Sequence, residues 1–364
     1  MLRYILKRIL QFIPVFIGVT VILFVLQNVV PGDPIKLITG EKAVSPEVEL
    51  QLRIANHLVK TQEFPILDEN GQQVYDEDGN PQMVKRAVNS KGEPVSNSKD
   101  AEPESVWDRY VYYISGLLQG NLGNSYQKRR PVADIFLEKY PYTIRLALCG
   151  IVVEIIVGIG AGVISAIKRY SFWDVLVTLS TSILVAMPAF WLGMLLQLLF
   201  GVNLKILPIS GAGANSAFPE YLHYILPAIT LASVSTAYTA RIMRSQLLDV
   251  MNSDYIRTAV AKGLSSRKVI VHHALKNALI PVVTYIGIDF GSMLSGAILT
   301  ETVFNWPGIG LTIYQAIMQR DWPIVLGGVS IICIVVMVIS LVVDVSYAFL
   351  DPRIRYGASA KGGK

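Results

Sequence analysis

Chemistry in this 364-residue chain has few places to reside. Two carboxylates, Glu154 and Asp289, stand inside long apolar stretches. A charge at the centre of a bilayer costs about 2.5–3.5 kcal/mol on insertion scales, so an acid there meets a partner or a water-filled route. Either such an acid is protonated, or it pairs with a basic residue of a companion subunit, or it faces a route. Asp289, in GIDFGSMLSG, would line that route together with Ser292, Met293 and Ser295. Ser292 and Ser295 with Gly296 would then make a polar, narrow face; hydrogen bonding within the helix bundle is the alternative.

Other reactive residue types are poorly placed. His272 and His273 are adjacent, so on a helix they point in different directions, and no cysteine or acid stands nearby to complete a metal site. DEDGN, residues 76–80, lacks the distal glutamate of a calcium loop and reads as a turn. Cys149 and Cys333 lie in apolar runs and read as small core hydrophobes. There is no G-x4-G-K-S/T phosphate loop, and the terminal GGK lacks a strand–loop–helix context. No nucleophile–base pair occurs in the apolar stretches, which disfavours an intramembrane enzyme.

The elements that carry these residues are membrane spans. The chain is 52% hydrophobic and 16% charged, with a mean hydropathy of +0.46. Apolar runs of about 20 residues, the length that crosses a bilayer, recur. Six spans are expected, over residues 9–30, 142–167, 172–202, 221–243, 275–300 and 324–350. The first is read as a retained span, since no small-residue cleavage site follows it. Basic residues cluster on one side of this arrangement: Arg3, Lys7 and Arg8; Lys168 and Arg169; the 241–276 link; Arg353 and Arg355. The positive-inside rule makes that side, and both termini, cytoplasmic. The net charge of +5 thus reports topology and not nucleic-acid binding. Pro188 and Pro227 are expected to kink spans three and four, and the pairs Gly158/Gly162 and Gly287/Gly291 to allow close helix contact.

The opposite side holds one large insertion, residues 31–140. Within it, Asn70-Gly71 and Asp78-Gly79 separate short apolar pieces and predict a small β-meander. VWDRYVYYISGLLQG predicts an amphipathic interfacial helix, with Trp107, Tyr110, Ile114 and Leu117 at helical spacing.

The most charged segment lies between spans four and five. DYIRTAVAK puts Tyr255, Ile256, Ala259 and Val260 on one face of a short helix. Gly263 predicts a left-handed helix end, and Ser265 or Ser266 a cap for the next helix. A shallow helix with an apolar stripe and basic flanks, here Arg257 and Lys262, suits either a groove on a partner or an anionic lipid surface.

Ala259-x3-Gly263, in a cytoplasmic link before the penultimate span, resembles the coupling loop of ABC-importer permeases. Arg257 and Thr258 replace the Glu and first Ala of that signature, and Leu279-Ile280-Pro281 ends it five residues late. The stretches VPGDP (30–34), GNLGNSY (120–126), RPV (130–132), MPAFWLG (187–193), LPISG (207–211), ILPAITLA (225–232), HALKNALIPVV, ETVFNWPGIG (301–310) and VDVSYAFLDPRIRY (343–356) are similar to the oligopeptide, dipeptide and nickel branch of those permeases, outside about 40–103.

This resemblance implies an all-α membrane protein of six transmembrane helices, of the type I ABC-importer permease kind, with an extracellular α+β insertion between helices 1 and 2. Its domains would be 1–30, the insertion 31–140, a permease core 141–350 containing the 248–274 coupling loop, and a cytoplasmic tail 351–364. Tyr255, Ile256, Arg257, Ala259, Val260, Lys262, Gly263 and Leu264 would couple to a cytoplasmic ATPase. The implied partners are a second homologous permease, forming a heterodimer, two ABC ATPases that bind ATP and Mg, an extracellular peptide-binding protein, a peptide and membrane lipid. The chain itself would hold no cofactor or metal. A peptide ammonium would be the counter-charge for Asp289, and the NWPGIG loop would lie near the mouth used by the delivering protein. The competing class is a proton-coupled secondary peptide transporter using Glu154 and Asp289.

Overall fold

The computed structural model describes residues 2–29, 32–39, 44–68, 72–76, 80–213, 216–295 and 298–350. In chain order, α1 is Leu2–Val29, α2 Pro34–Thr39 and α3 Pro46–Ala55. Strands β1 (Thr61–Pro65) and β2 (Met83–Ala87) follow, then α4 (Val106–Leu118) and α5 (Val132–Val153). A π-helical turn, Glu154–Ile159, joins α5 to α6 (Gly160–Ile167). Next come α7 (Phe172–Ala186), α8 (Ala189–Leu196), α9 (Ile225–Met251), α10 (Asp254–Ala261) and α11 (Ser266–Lys268). A second π-helical stretch, Val269–Ala274, leads into α12 (Leu275–Leu294), and α13 (Ile298–Val303), α14 (Ile309–Met318) and α15 (Trp322–Leu350) complete the chain.

These elements form two compact units. One contains Met1–Val19, Asp134–Met318 and the chain from Gly328 onward; the other contains Thr20–Ala133 and Gln319–Gly327.

In the second unit, β1 and β2 form an antiparallel ribbon in which Thr61 pairs with Ala87 and Pro65 with Met83. The expected meander shrinks to this ribbon plus isolated bridges, Leu67–Gln73 and Tyr75–Pro81. The reason is spacing. Asp68 and Gln72 close one turn, and Asp76 and Asn80 the next, each by a reciprocal pair of bonds using the aspartate side chain. Only three residues remain between the turns, too few for a ladder. The turn tips, Asn70-Gly71 and Asp78-Gly79, lie outside the described residues, as do Val30, Pro31 and residues 351–364 with Arg353 and Arg355. Helix α3 starts where Ser45 accepts a bond from Val48 N, with Pro46 behind it and Glu47 and Glu49 in the first turn. Its Leu50 packs with Val59 and Ala87 to make a small core. Helix α4 forms as expected, capped by Ser105 Oγ on Trp107 N.

In the first unit the helices are apolar outside and close-packed inside. Among the described residues, four helices are long and apolar enough to cross a membrane: Ile5–Val29, Val132–Ile167, Ser266–Leu294 and Trp322–Val345. A fifth requires counting Phe172–Ala186 and Ala189–Asn203 as one span, and these meet at 107°. Pro188 makes that break. It stands before α8, and Met187 is extended ahead of it. Pro227 makes no kink: it sits in the first turn of α9, where no backbone donor is lost. Helix α9 occupies the place of the expected span 221–243, but it is not apolar enough to rank with the others. It buries Thr230, Ser233, Ser235, Thr236 and Thr239 among alanines. A helix enclosed by its neighbours has no need of a lipid-compatible surface.

The glycine pairs act in packing. A Cβ on Gly162 would stand 2.6 Å from both Ala240 O and Met243 Cβ, and one on Gly158 2.9 Å from Thr239 Cγ2. Gly287 and Gly291 approach Val343 and Ile339 of α15 less closely, with Cβ contacts of 3.0 and 3.1 Å. Gly162→Ala is therefore expected to destabilise the helix bundle by about 1–3 kcal/mol through overpacking. Thermal unfolding in detergent measures this, and an unchanged midpoint would contradict the contact.

Candidate functional site

The site is best built from the link between α9 and α12. Asn252 and Ser253 turn the chain at the end of α9, and α10 starts at Asp254. At the other end, Gly263 N donates to Val260 O at 2.9 Å and Leu264 N to Ala259 O at 3.4 Å. Both bonds together are a Schellman closure, with Leu264 packing back on the apolar cluster that contains Ala259. Gly263 has φ +79°, and no atom lies within 4 Å of where its Cβ would be. Glycine is needed there for its backbone and not for space. Ser265, extended, stands at the start of α11 but makes no side-chain cap.

The expected single apolar face of α10 divides in two. Ile256 and Ala259 are buried against Met243, Leu247, Val269 and Ala274. They anchor the helix to its own chain. Tyr255, Arg257, Val260, Lys262 and Gly263 are exposed, and Leu264 is half-buried. Tyr255 is held by its hydroxyl, which accepts from Asn277 Nδ2 at 2.9 Å. Arg257 lies 3.6 Å from Asp254 in a fully solvated pair, which contributes little. The free face of α10 is thus a tyrosine, a valine and two cations on a rigidly closed helix.

One cluster that sequence reasoning missed holds the start of this segment in place. Arg244, on α9, grips Asp174 of α7 with both arms: Nε to Oδ1 at 2.7 Å and a terminal nitrogen to Oδ2 at 2.9 Å. Ser165 Oγ of α6 also donates to Asp174, and Tyr170 N donates to its Oδ2 at 2.9 Å. Arg244 served only as a topology marker in the sequence. The signal for its partner was Asp174, an acid two residues into an apolar helix.

The two span acids come together. Glu154, fully buried in the π-helical turn, accepts from Thr239 Oγ1 at 2.6 Å. Asp289 of α12 is its electrostatic neighbour, with Ser235 beside it. Glu154 Oε2 and Asp289 Oδ2 are buried without hydrogen-bond partners. Ser292 is exposed, Met293 is buried, and Ser295 Oγ turns back to Ser292 O at 2.6 Å. Gly296 lies outside the described residues.

ETVFNWPGIG is an internal knot more than a surface loop. Glu301, Phe304, Trp306 and Ile309 are buried, and Asn305 is the one exposed residue of NWPGIG. Glu301 accepts from Thr143 Oγ1 at 2.7 Å and from Leu311 N at 2.8 Å, while Trp306 Nε1 donates to Tyr142 O at 3.1 Å. Among the described residues no group of three or more histidines, cysteines or acids could hold a metal.

Comparison with known proteins places these features in context. Residues 158–356 match the family described as binding-protein-dependent transport system inner membrane component. The chain is 34% identical to the dipeptide transport system permease protein of Escherichia coli (strain K12), over 98% of this chain and 99% of that one. It is 35% identical to the di/tripeptide transport system permease protein of Pseudomonas aeruginosa, over 98% and 99%. It is likewise 35% identical to the glutathione transport system permease protein of Escherichia coli (strain K12), over 98% and 100%. Among solved structures, a chain of the methionine ABC transporter MetNI, captured inward facing, aligns with a TM-score of 0.50 at 14% identity, over 60% of this chain and 96% of that one. That likeness is one of fold.

Arg244→Ala would leave Asp174, whose side chain is 7% exposed, without its counter-ion. A loss of about 3 kcal/mol is expected, the low end for a broken buried pair because the Arg244 side chain is 30% exposed. Arg244→Lys should recover only part, since an ammonium cannot make the two-armed contact. Chemical or thermal unfolding of the two variants in detergent checks the order; equal stability of both with the parent would remove the clasp.

Proposed function

Since the chain belongs to the family of binding-protein-dependent transport inner membrane components, with peptide-transport permeases among its relatives, we propose that it is the permease subunit of an ATP-driven importer of short peptides. The family is one of transport components and not of catalytic enzymes. The observation that carries the coupling is α10, anchored by Ile256 and Ala259, closed by Gly263, and presenting Tyr255, Arg257, Val260 and Lys262 outward. A helix held on one side and free on the other transmits force from a partner to α9 and α12.

In this reading two cytoplasmic ATPases bind ATP and Mg, and one of them receives α10 in a cleft. A second, homologous permease completes the pore as a heterodimer, and an extracellular binding protein delivers the peptide. Six spans place both termini in the cytoplasm and residues 31–140 outside the cytoplasmic membrane. ATPase closure rocks the spans between outward and inward access. Asp289 faces the passing peptide and offers a carboxylate to its ammonium. This chain holds no cofactor of its own.

The adjacency of Glu154 and Asp289 favours one other reading, a proton-coupled carrier. Energy source separates the two: a protonophore added at constant high ATP abolishes uptake by a proton-coupled carrier and spares an ATP-driven one.

The coupling proposal is tested by splitting the two faces of α10. Val260→Asp changes an exposed residue, so stability should stay within about 0.5 kcal/mol while co-purification of the ATPases and peptide-stimulated ATP hydrolysis are lost. Gly263→Trp should also abolish uptake with membrane insertion intact. Full uptake by both folded variants would refute the docking role of this segment.

A further inference from the structure

The unit formed by Thr20–Ala133 and Gln319–Gly327 contains two cavities, of ≈ 210 and ≈ 280 Å³, that share the lining residues Gln27 and Arg109. The larger is polar and cationic, bordered by Asn28, Arg53, Arg109, Arg320 and Trp322. The smaller is aromatic, bordered by Phe24, Tyr112, Tyr113, Tyr126 and Leu326. Gln27 and Arg109 line both.

The arginines differ in how far their charge is matched. Arg53 is held by Asp33 at 2.7 Å and Glu49 at 3.0 Å. Arg109 has no carboxylate at ion-pair distance among the described residues. It donates to Asn28 Oδ1 at 3.0 Å and lies 5.7 Å from the centre of the Phe24 ring. Burial draws its pKa below the ordinary arginine value, but a guanidinium stays protonated in proteins. His57 also borders the smaller cavity. Burial, then the charge of Lys85, push it below the usual histidine range, so it adds no charge at neutral pH. Arg109 therefore borders both cavities as a cation with no ion-pair partner among the described residues, Glu104 acting on it only from a distance. Beside it, Gln27 Oε1 is buried and accepts no hydrogen bond.

These two groups have opposite needs. A guanidinium without a carboxylate takes an anionic oxygen pair, in the forked geometry that makes such contacts strong. A buried amide oxygen without a donor takes an N–H. A carboxylate with an N–H on the adjoining carbon, and a side chain that fits among aromatic rings, is the last residue of a peptide. We propose that the aromatic cavity binds the C-terminal residue of a peptide, with its carboxylate on Arg109, its N–H on Gln27 Oε1 and its side chain among Phe24, Tyr112 and Tyr126. The identity of the ligand as a transported peptide rests on the importer reading above; the chemistry of the site does not.

The test uses the full chain in lipid nanodiscs, titrated calorimetrically with L-alanyl-L-phenylalanine and with its C-terminal amide. The free acid should bind at least roughly tenfold tighter than the amide, the scale of one charge-assisted contact. Arg109→Gln should erase that preference without weakening the amide. Gln27→Leu should weaken both ligands alike, since both carry the N–H. That split distinguishes two contacts from a general loss of fold, and thermal unfolding of each variant checks the same point. Equal binding of acid and amide by the parent chain, a preference that survives in Arg109→Gln, or no binding of either ligand overturns the proposal. So does displacement of the dipeptide by an equal concentration of inorganic phosphate, which would mark a general anion site. Uptake is measured separately on the complete reconstituted transporter. Binding without ATP-driven uptake would defeat the importer reading and leave the site standing; uptake without binding would do the reverse.

Discussion

The first unit is organised around the contact between the glycines of α6 and its preceding turn and the backbone of α9. Two side chains of a single hydrogen atom let the helices approach until Ala240 O and the Met243 side chain fill the space a methyl group would need. In a bilayer, where lipid tails are as apolar as leucine, packing of this kind drives association in place of the hydrophobic effect. The same approach puts Glu154 beside Thr239 and aligns Ser165 with Arg244 across the helix pair. Polar groups inside the unit thus find partners because the backbones are close enough for short side chains to reach.

Helix α9 is the consequence. Enclosed by α6, α7, α8 and α12, it can bury hydroxyls that a lipid-facing helix could not carry. Its last turns pass directly into α10, whose buried residues Ile256 and Ala259 share a core with Met243 and Leu247 of α9 and Ala274 and Ala278 nearer α12. A displacement of α10 therefore acts on two helices through one apolar cluster. The clasp of Arg244 on Asp174 adds α7 to that group.

The buried acids show how differently the same residue type can be treated. Asp174 is satisfied by a guanidinium, a hydroxyl and a backbone amide. Glu301 is satisfied by Thr143 and backbone donors, and serves to knit the NWPGIG turn to α5 and α14. Glu154 and Asp289 each keep an oxygen without a partner. Desolvation makes such oxygens costly.

Periodicity and residue type alone established the membrane-spanning character, the amphipathic α4, the short α10 with its glycine stop, the break at Pro188 and the close-packing glycines. Each is a local property: a glycine at a helix end, a proline before a helix and a run of about 20 apolar residues have the same physical effect in almost any context. The tertiary structure decided what depends on a distant neighbour. Ile256 and Tyr255 are adjacent and apolar in body, yet one is core and the other surface, because only α9 and the stretch before α12 determine which side is covered. The partnership of Asp174 with Arg244 spans 70 positions, and that of Glu154 with Asp289 spans still more of the chain. The apparent surface loop NWPGIG became interior because Tyr142, Thr143 and Tyr224 close around Trp306 and Ile309. Side-chain reach across a packed interface has no signature in spacing along the chain, and it is that reach which assembled the candidate site.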